Sequence, residues 1–220
     1  MVNKHSRGLL PVVFLIYTLL GVVYFYKMFN EGIPSGDSWV ENYPLRLYYS
    51  SSFGLVSWLP YIFLGLPFLG MFHVGLLYPL NFIYFLLPPF CVFKLNIVLH
   101  YILAAFFTFL YARLLNMPNF PSFMAGLIFA FSGFLMAHKG HTSMMNAAVW
   151  LPLLLFLYEK IRTTLSLKYS IWAALVIAIQ IFAGHYQICV YTYLVLGFFI
   201  LFYLNSVPKE KRLNFVFLCL

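Results

Sequence analysis

The chain of 220 residues is 64% hydrophobic, 21% aromatic and 8% charged, with a mean hydropathy of +0.92 and a formal net charge of +8. A soluble domain is about half apolar and about a quarter charged, so these values exclude one and define an integral membrane protein. The positive surplus does not signal nucleic acid, because the 13 Lys and Arg residues sit singly at the ends of apolar runs and form no basic stripe.

At roughly 20 residues per membrane-crossing helix, the length predicts six spans and one long loop within a single membrane domain, an all-α polytopic bundle. Lys4 and Arg7 precede the first apolar run, over 9–29, which is longer than a signal-peptide core and is followed by no small-residue cleavage site; it reads as a retained anchor. A loop takes 30–89. The second span, 90–114, contains Lys94 and His100 and ends at Arg113. A short connector leads to Pro121, suited to the first position of a third span over 121–137. The polar knot His138-Lys139-Gly140-His141-Thr142-Ser143 follows.

Span four, 144–158, holds Pro152 and is expected to kink there. Glu159, Lys160, Arg162 and Lys168 mark the next water face, with Lys168 able to snorkel from the start of span five, 165–183. Gly184-His185-Tyr186-Gln187 is a tight break before span six, 186–204. A charged connector over 208–212 precedes an apolar run, 213–220, that reads as the start of a further span, so the chain looks like the front portion of a longer protein.

Lys and Arg near span ends set orientation. With the N-terminus in the cytoplasm, nine (Lys4, Arg7, Arg113, Lys160, Arg162, Lys168, Lys209, Lys211, Arg212) fall inside and three (Lys27, Arg46, Lys139) outside. The loop over 30–89, the histidine knot and the His185 break then share the extracytoplasmic face. Cys91, Cys189 and Cys219 lie in apolar runs without metal or CxxC spacing and predict neither disulfide nor metal site.

Within the long loop, Trp39, Tyr43, Tyr48, Tyr49, Trp58 and Tyr61 alternate with polar residues, a mixture that suits one or two helices lying at the membrane interface. Pro60, Pro67, Pro79, Pro88 and Pro89 prevent a long span, so the apolar stretch over 62–77 is expected to re-enter or lie on the bilayer. Three of the five acidic residues, Glu31, Asp37 and Glu41, gather at the opening of this loop. Carboxylates are costly beside lipid, so their clustering marks a candidate site, with Asp37 its leading chemical residue. The same residue type caps helices, and Asp37 is placed to cap one beginning near Trp39. Ser38-x-x-Glu41 likewise fits a capping box, which Pro44 would cut short.

The series Gly36-Asp37, Trp58-x-Pro60-Tyr61-Ile62-Phe63-x-Gly65-x-Pro67, Tyr78-Pro79-x-Asn81, Phe131-Ser132-Gly133-Phe134, Gly140-His141, Trp150-x-Pro152-Leu153 and Gly184-His185-x-Gln187 resembles the YfhO family of bacterial membrane proteins. The family is similar to the type C glycosyltransferases, which take sugars from polyprenyl-phosphate carriers. The resemblance implies inverting sugar transfer to a cell-envelope acceptor such as teichoic acid, on the outer face of the bacterial cytoplasmic membrane. Asp37 then matches the loop acid that deprotonates the acceptor hydroxyl. Glu41, His138, Lys139, His141, His185 and Gln187 are candidate substrate-binding residues, Lys as a point charge for phosphate and His as donor. The bland reading sits beside each: interfacial anchoring for His138, Lys139 and His141, helix-end satisfaction for His185 and Gln187. His73 and His100 match no motif and read as structural.

Asp37 and Glu41 offer oxygen ligands suited to Mg or Mn, while His138-x-x-His141 lacks the carboxylate partner of a metal motif, and no metal is assigned. A transporter or lipid flippase is the competing class, although charged residues at mid-span are few and no inverted repeat is visible. A noncatalytic scaffold of envelope assembly is a third.

Overall fold

Apolar runs bounded by Pro, Gly and charge become helices, because in lipid the backbone must satisfy its own hydrogen bonds. The computed structural model describes residues 8–34, 36, 38–51 and 57–219, Leu69 by its backbone. The chain forms α1 (Leu9–Tyr24), α2 (Tyr26–Glu31), α3 (Tyr43–Ser51), α4 (Pro89–Leu114), α5 (Asn119–Ala130), α6 (Gly133–Ala137), α7 (Thr142–Ala148), α8 (Leu151–Thr164), α9 (Leu167–Phe182), α10 (Tyr186–Tyr203) and α11 (Arg212–Cys219). This is an all-α bundle. Four helical stretches, Pro89–Leu114, Asn119–Ala137, Thr142–Thr164 and Tyr186–Ser206, are long and apolar enough to cross a membrane. The apolar α1 and α9 are shorter, 16 residues each. At 1.5 Å per residue they fall short of a hydrocarbon core about 30 Å thick.

The central element is α4, packed by α1, α5 and α8. Its Phe93, Ile97, Ala104, Ala105 and Phe109 are almost wholly buried. Gly126 lets α5 close on this layer: a Cβ there would overlap Tyr17 Oη and sit 2.5 Å from the Ala105 carbonyl. Tyr17 Oη donates across the same contact to the Phe123 carbonyl at 2.9 Å. Small residues at membrane helix crossings allow such approach. Lys94 sends its ammonium to the Phe29 carbonyl at 3.0 Å, closing the last turn of α2. At the other end of the bundle, Tyr158 Oη donates to the Cys219 carbonyl at 2.7 Å, and Glu159 is paired with Arg162.

Proline acts differently from its expected role twice. Pro152 does not kink a continuous span; the helix ends at Ala148 and restarts at Leu151, placing Pro152 in a first turn that needs no N–H from it. Pro44 sits in the first turn of α3 for the same reason, directly after a π-helical turn over Ser38–Asn42. The capping box is not formed. Ser38 Oγ donates instead to the Gly140 carbonyl, at 3.2 Å.

Between α3 and α4, the described residues hold a two-residue antiparallel ladder, β1 (Trp58–Leu59) with β2 (Leu66–Pro67), and short 3-10 turns over Phe68–Gly70, Phe72–Val74 and Pro79–Phe85. Its tip presents Tyr61, Phe63 and Leu64 fully to the surroundings, an apolar projection consistent with contact to lipid. Asn81 stitches the loop together, donating to the Gly75 carbonyl at 2.8 Å and accepting from Asn96 Nδ2 on α4 at 3.4 Å.

Candidate functional site

Three connections meet at one end of the bundle. The turn over Ser38–Asn42 docks on the α6–α7 junction through the Ser38 bond to Gly140 and through Thr142 Oγ1, which donates to Asn42 Oδ1 at 3.3 Å. The 3-10 turn at Phe72–Val74 docks on the α9–α10 junction. Gly184 adopts φ +91° there, and a Cβ on it would overlap the Phe72 carbonyl oxygen. Gly75 faces the same junction, 3.1 Å from the Phe182 carbonyl by its Cβ position. Glycine at 184 is therefore required twice over, by conformation and by space.

These contacts gather four imidazoles. His138 and His141 have ring centroids 5.8 Å apart. His185 lies within electrostatic reach of His138, His141 and His73. His73 in turn has Nε2 3.0 Å from Glu41 Oε1, a half-exposed ion pair set off the line of a good hydrogen bond.

The nitrogens are differentiated by their backbone partners. His138 Nδ1 donates to the Phe134 carbonyl at 2.7 Å, so its neutral form carries a lone pair on Nε2. His185 Nδ1 accepts from the Ile188 N–H at 3.4 Å, so its neutral form presents Nε2–H as a donor. Burial pushes the His185 pKa below its ordinary value; its own carbonyl opposes this, and the other three imidazoles add to the lowering. One ring is thus a proton acceptor and another a donor, in a setting that disfavours charging all four together. Such a cluster can hold an anion and pass a proton.

Of the residues singled out from sequence, Glu41, His138, His141 and His185 are brought together. His73, read as structural, joins them. Lys139 points to a neighbouring cleft of about 260 Å³ lined with Lys27, Met28, Glu31 and Pro34. Gln187 lies along its own helix, donating to Tyr191 Oη at 2.6 Å. Asp37 lies outside the described residues; its sequence neighbour Ser38 is the one bonded to Gly140. Among the described residues, no three of His, Cys, Asp and Glu converge to hold a metal ion. His100 is enclosed, with Nδ1 2.6 Å from the Asn96 carbonyl and Nε2 2.6 Å from Tyr78 Oη, which also accepts from Trp150 Nε1.

Two features have no counterpart in the sequence reading. An open apolar cleft of about 340 Å³ runs beside α4, lined by Val22, Leu80, Ile83, Leu87, Leu95 and Ile102 among others. Arg46, which the sequence shows only as a charge near a span end, is 2% exposed, and its Nη1 and Nη2 make no hydrogen bond among the described residues. No family model matches the chain, and no curated protein or solved structure does. Fold and composition define a helical membrane protein with a histidine-lined end.

Proposed function

We propose that this protein is an inverting glycosyltransferase of the type C kind, moving a sugar from a polyprenyl-phosphate carrier to an envelope acceptor at the extracytoplasmic face of the bacterial cytoplasmic membrane. The observation that supports the reading is the docking of the turn over Ser38–Asn42, which carries Glu41, onto Gly140 and Thr142 beside the histidines. Asp37 takes the proton from the acceptor hydroxyl as its oxygen attacks the anomeric carbon. The bond from that carbon to the carrier phosphate breaks, and polyprenyl phosphate leaves with the electron pair. His141 and His185 donate hydrogen bonds to the departing phosphate, His138 accepts one from a substrate hydroxyl at Nε2, Lys139 supplies positive charge nearby, and Glu41 orients His73. The cleft beside α4 offers an apolar track for the carrier chain.

The test is transfer of radiolabelled sugar from synthetic polyprenyl-phosphate sugar to acceptor by the protein in proteoliposomes, with the anomeric configuration of the product read by NMR. Transfer with inversion supports the reading. Intact donor together with uptake of a labelled solute supports a transporter instead.

A further inference from the structure

A guanidinium removed from water needs either a counter-ion or a full set of acceptors, because its lost hydration must be replaced. Arg46 has neither. It lies on the inner face of α3 with Leu45 and Tyr49, and only 2% of it is exposed. The side chains around it include the phenols of Tyr84, within hydrogen-bonding reach, and Tyr49. Both are neutral: burial raises their pKa values, Tyr84 the more strongly. The Tyr49 hydroxyl proton is already given to the Leu76 carbonyl at 2.8 Å. The Tyr84 oxygen is one acceptor near the guanidinium, but among the described residues no hydrogen bond forms at Nη1 or Nη2, which carry four of its five N–H groups. The described acids are engaged or placed elsewhere: Glu41 with His73, Glu159 with Arg162, Glu31 beside the Lys139 cleft, and Glu210 in the connector before α11.

We propose that Arg46 is the seat of a bound oxyanion of the phosphate class, held in the fork of Nη1 and Nη2 beneath the loop. The planar fork matches two oxygens of a phosphate at once, a geometry that an ammonium cannot reproduce. Asn42, four residues earlier at the end of the π-helical turn that leads into α3, is bonded to Thr142, so the site stands about one helical turn from the docked junction that carries the histidines. The inference rests on the unpartnered guanidinium alone and does not require sugar transfer. The phosphate comes either from a lipid headgroup or from free phosphate.

The test is thermal unfolding of the full chain in maltoside micelles, followed by the fluorescence of its tryptophans. Wild type is titrated with inorganic phosphate against chloride at matched ionic strength. In parallel, it is titrated with micellar phosphatidylglycerol against diacylglycerol of the same acyl chains. A saturable upward shift with inorganic phosphate identifies a free-phosphate site; a shift with phosphatidylglycerol alone identifies a lipid headgroup. Arg46→Met is expected to weaken the response about tenfold or more. Should that variant fail to fold, Arg46→Lys, which keeps the charge and loses the fork, carries the same comparison. Absence of any phosphate-specific shift in wild type overturns the proposal, as does an undiminished shift in the Arg46 variant that folds.

Discussion

Ser38 and Gly140 are 102 positions apart in sequence and joined by one buried hydrogen bond, 3.2 Å from Ser38 Oγ to the Gly140 carbonyl. This bond ties the opening of the long loop to the histidine turn. Ser38→Ala leaves the carbonyl without its partner and is expected to cost about 1–2 kcal/mol of stability. It should also lower the rate of sugar transfer. Equilibrium unfolding in detergent beside the transfer assay checks both effects; unchanged values in the two would show that the loop is held by other contacts.

Gly184→Ala adds a Cβ into the Phe72 carbonyl oxygen at a backbone angle of +91°. The expected loss is about 2–4 kcal/mol, because both the backbone at 184 and the facing 3-10 turn must move. Gly133→Ala is the control, since nothing lies within 4 Å of a Cβ there. Melting temperatures should separate the two variants widely.

The lowered pKa of His185 makes stability pH-dependent. In the unfolded chain this ring takes its proton near the ordinary value of 6.5, and in the folded protein only at lower pH. Between those values the unfolded state binds more protons, so stability falls as pH drops below about 6.5 and levels off under the folded pKa. His185→Gln should flatten that segment of the curve relative to wild type. Parallel curves for the two proteins would count against it.

The Glu41 and His73 side chains are 52% and 38% exposed, so their ion pair contributes little to stability. Glu41→Gln is expected to change unfolding free energy by less than about 1 kcal/mol. A larger fall in transfer rate than in stability would mark the pair as functional. Matching small changes in both would mark it as surface decoration.

The helices were legible because lipid imposes one rule on every span, and the apolar runs of this chain stand clear of their polar breaks. The meeting of Glu41, His138, His141 and His185 was legible for a related reason. Connections at alternate ends of successive antiparallel helices fall on the same end of a bundle, whatever their distance in sequence. The interior of the long loop was not. Its turns have no periodicity, so nothing in the sequence sets His73 against Glu41 or sinks Arg46 beneath Tyr84. Lys139 and Gln187 show the converse limit: proximity in sequence to a site histidine does not fix the direction of a side chain. The local capping signal at Ser38 was overridden by a long-range acceptor, Gly140.

Asp37→Asn tests the proposed role of Asp37 as the base of sugar transfer most directly. The variant, reconstituted in proteoliposomes with polyprenyl-phosphate sugar and acceptor, is predicted to melt as wild type does while transferring sugar about 10²–10⁴-fold more slowly. Transfer at the wild-type rate by a folded Asp37→Asn protein would contradict the account.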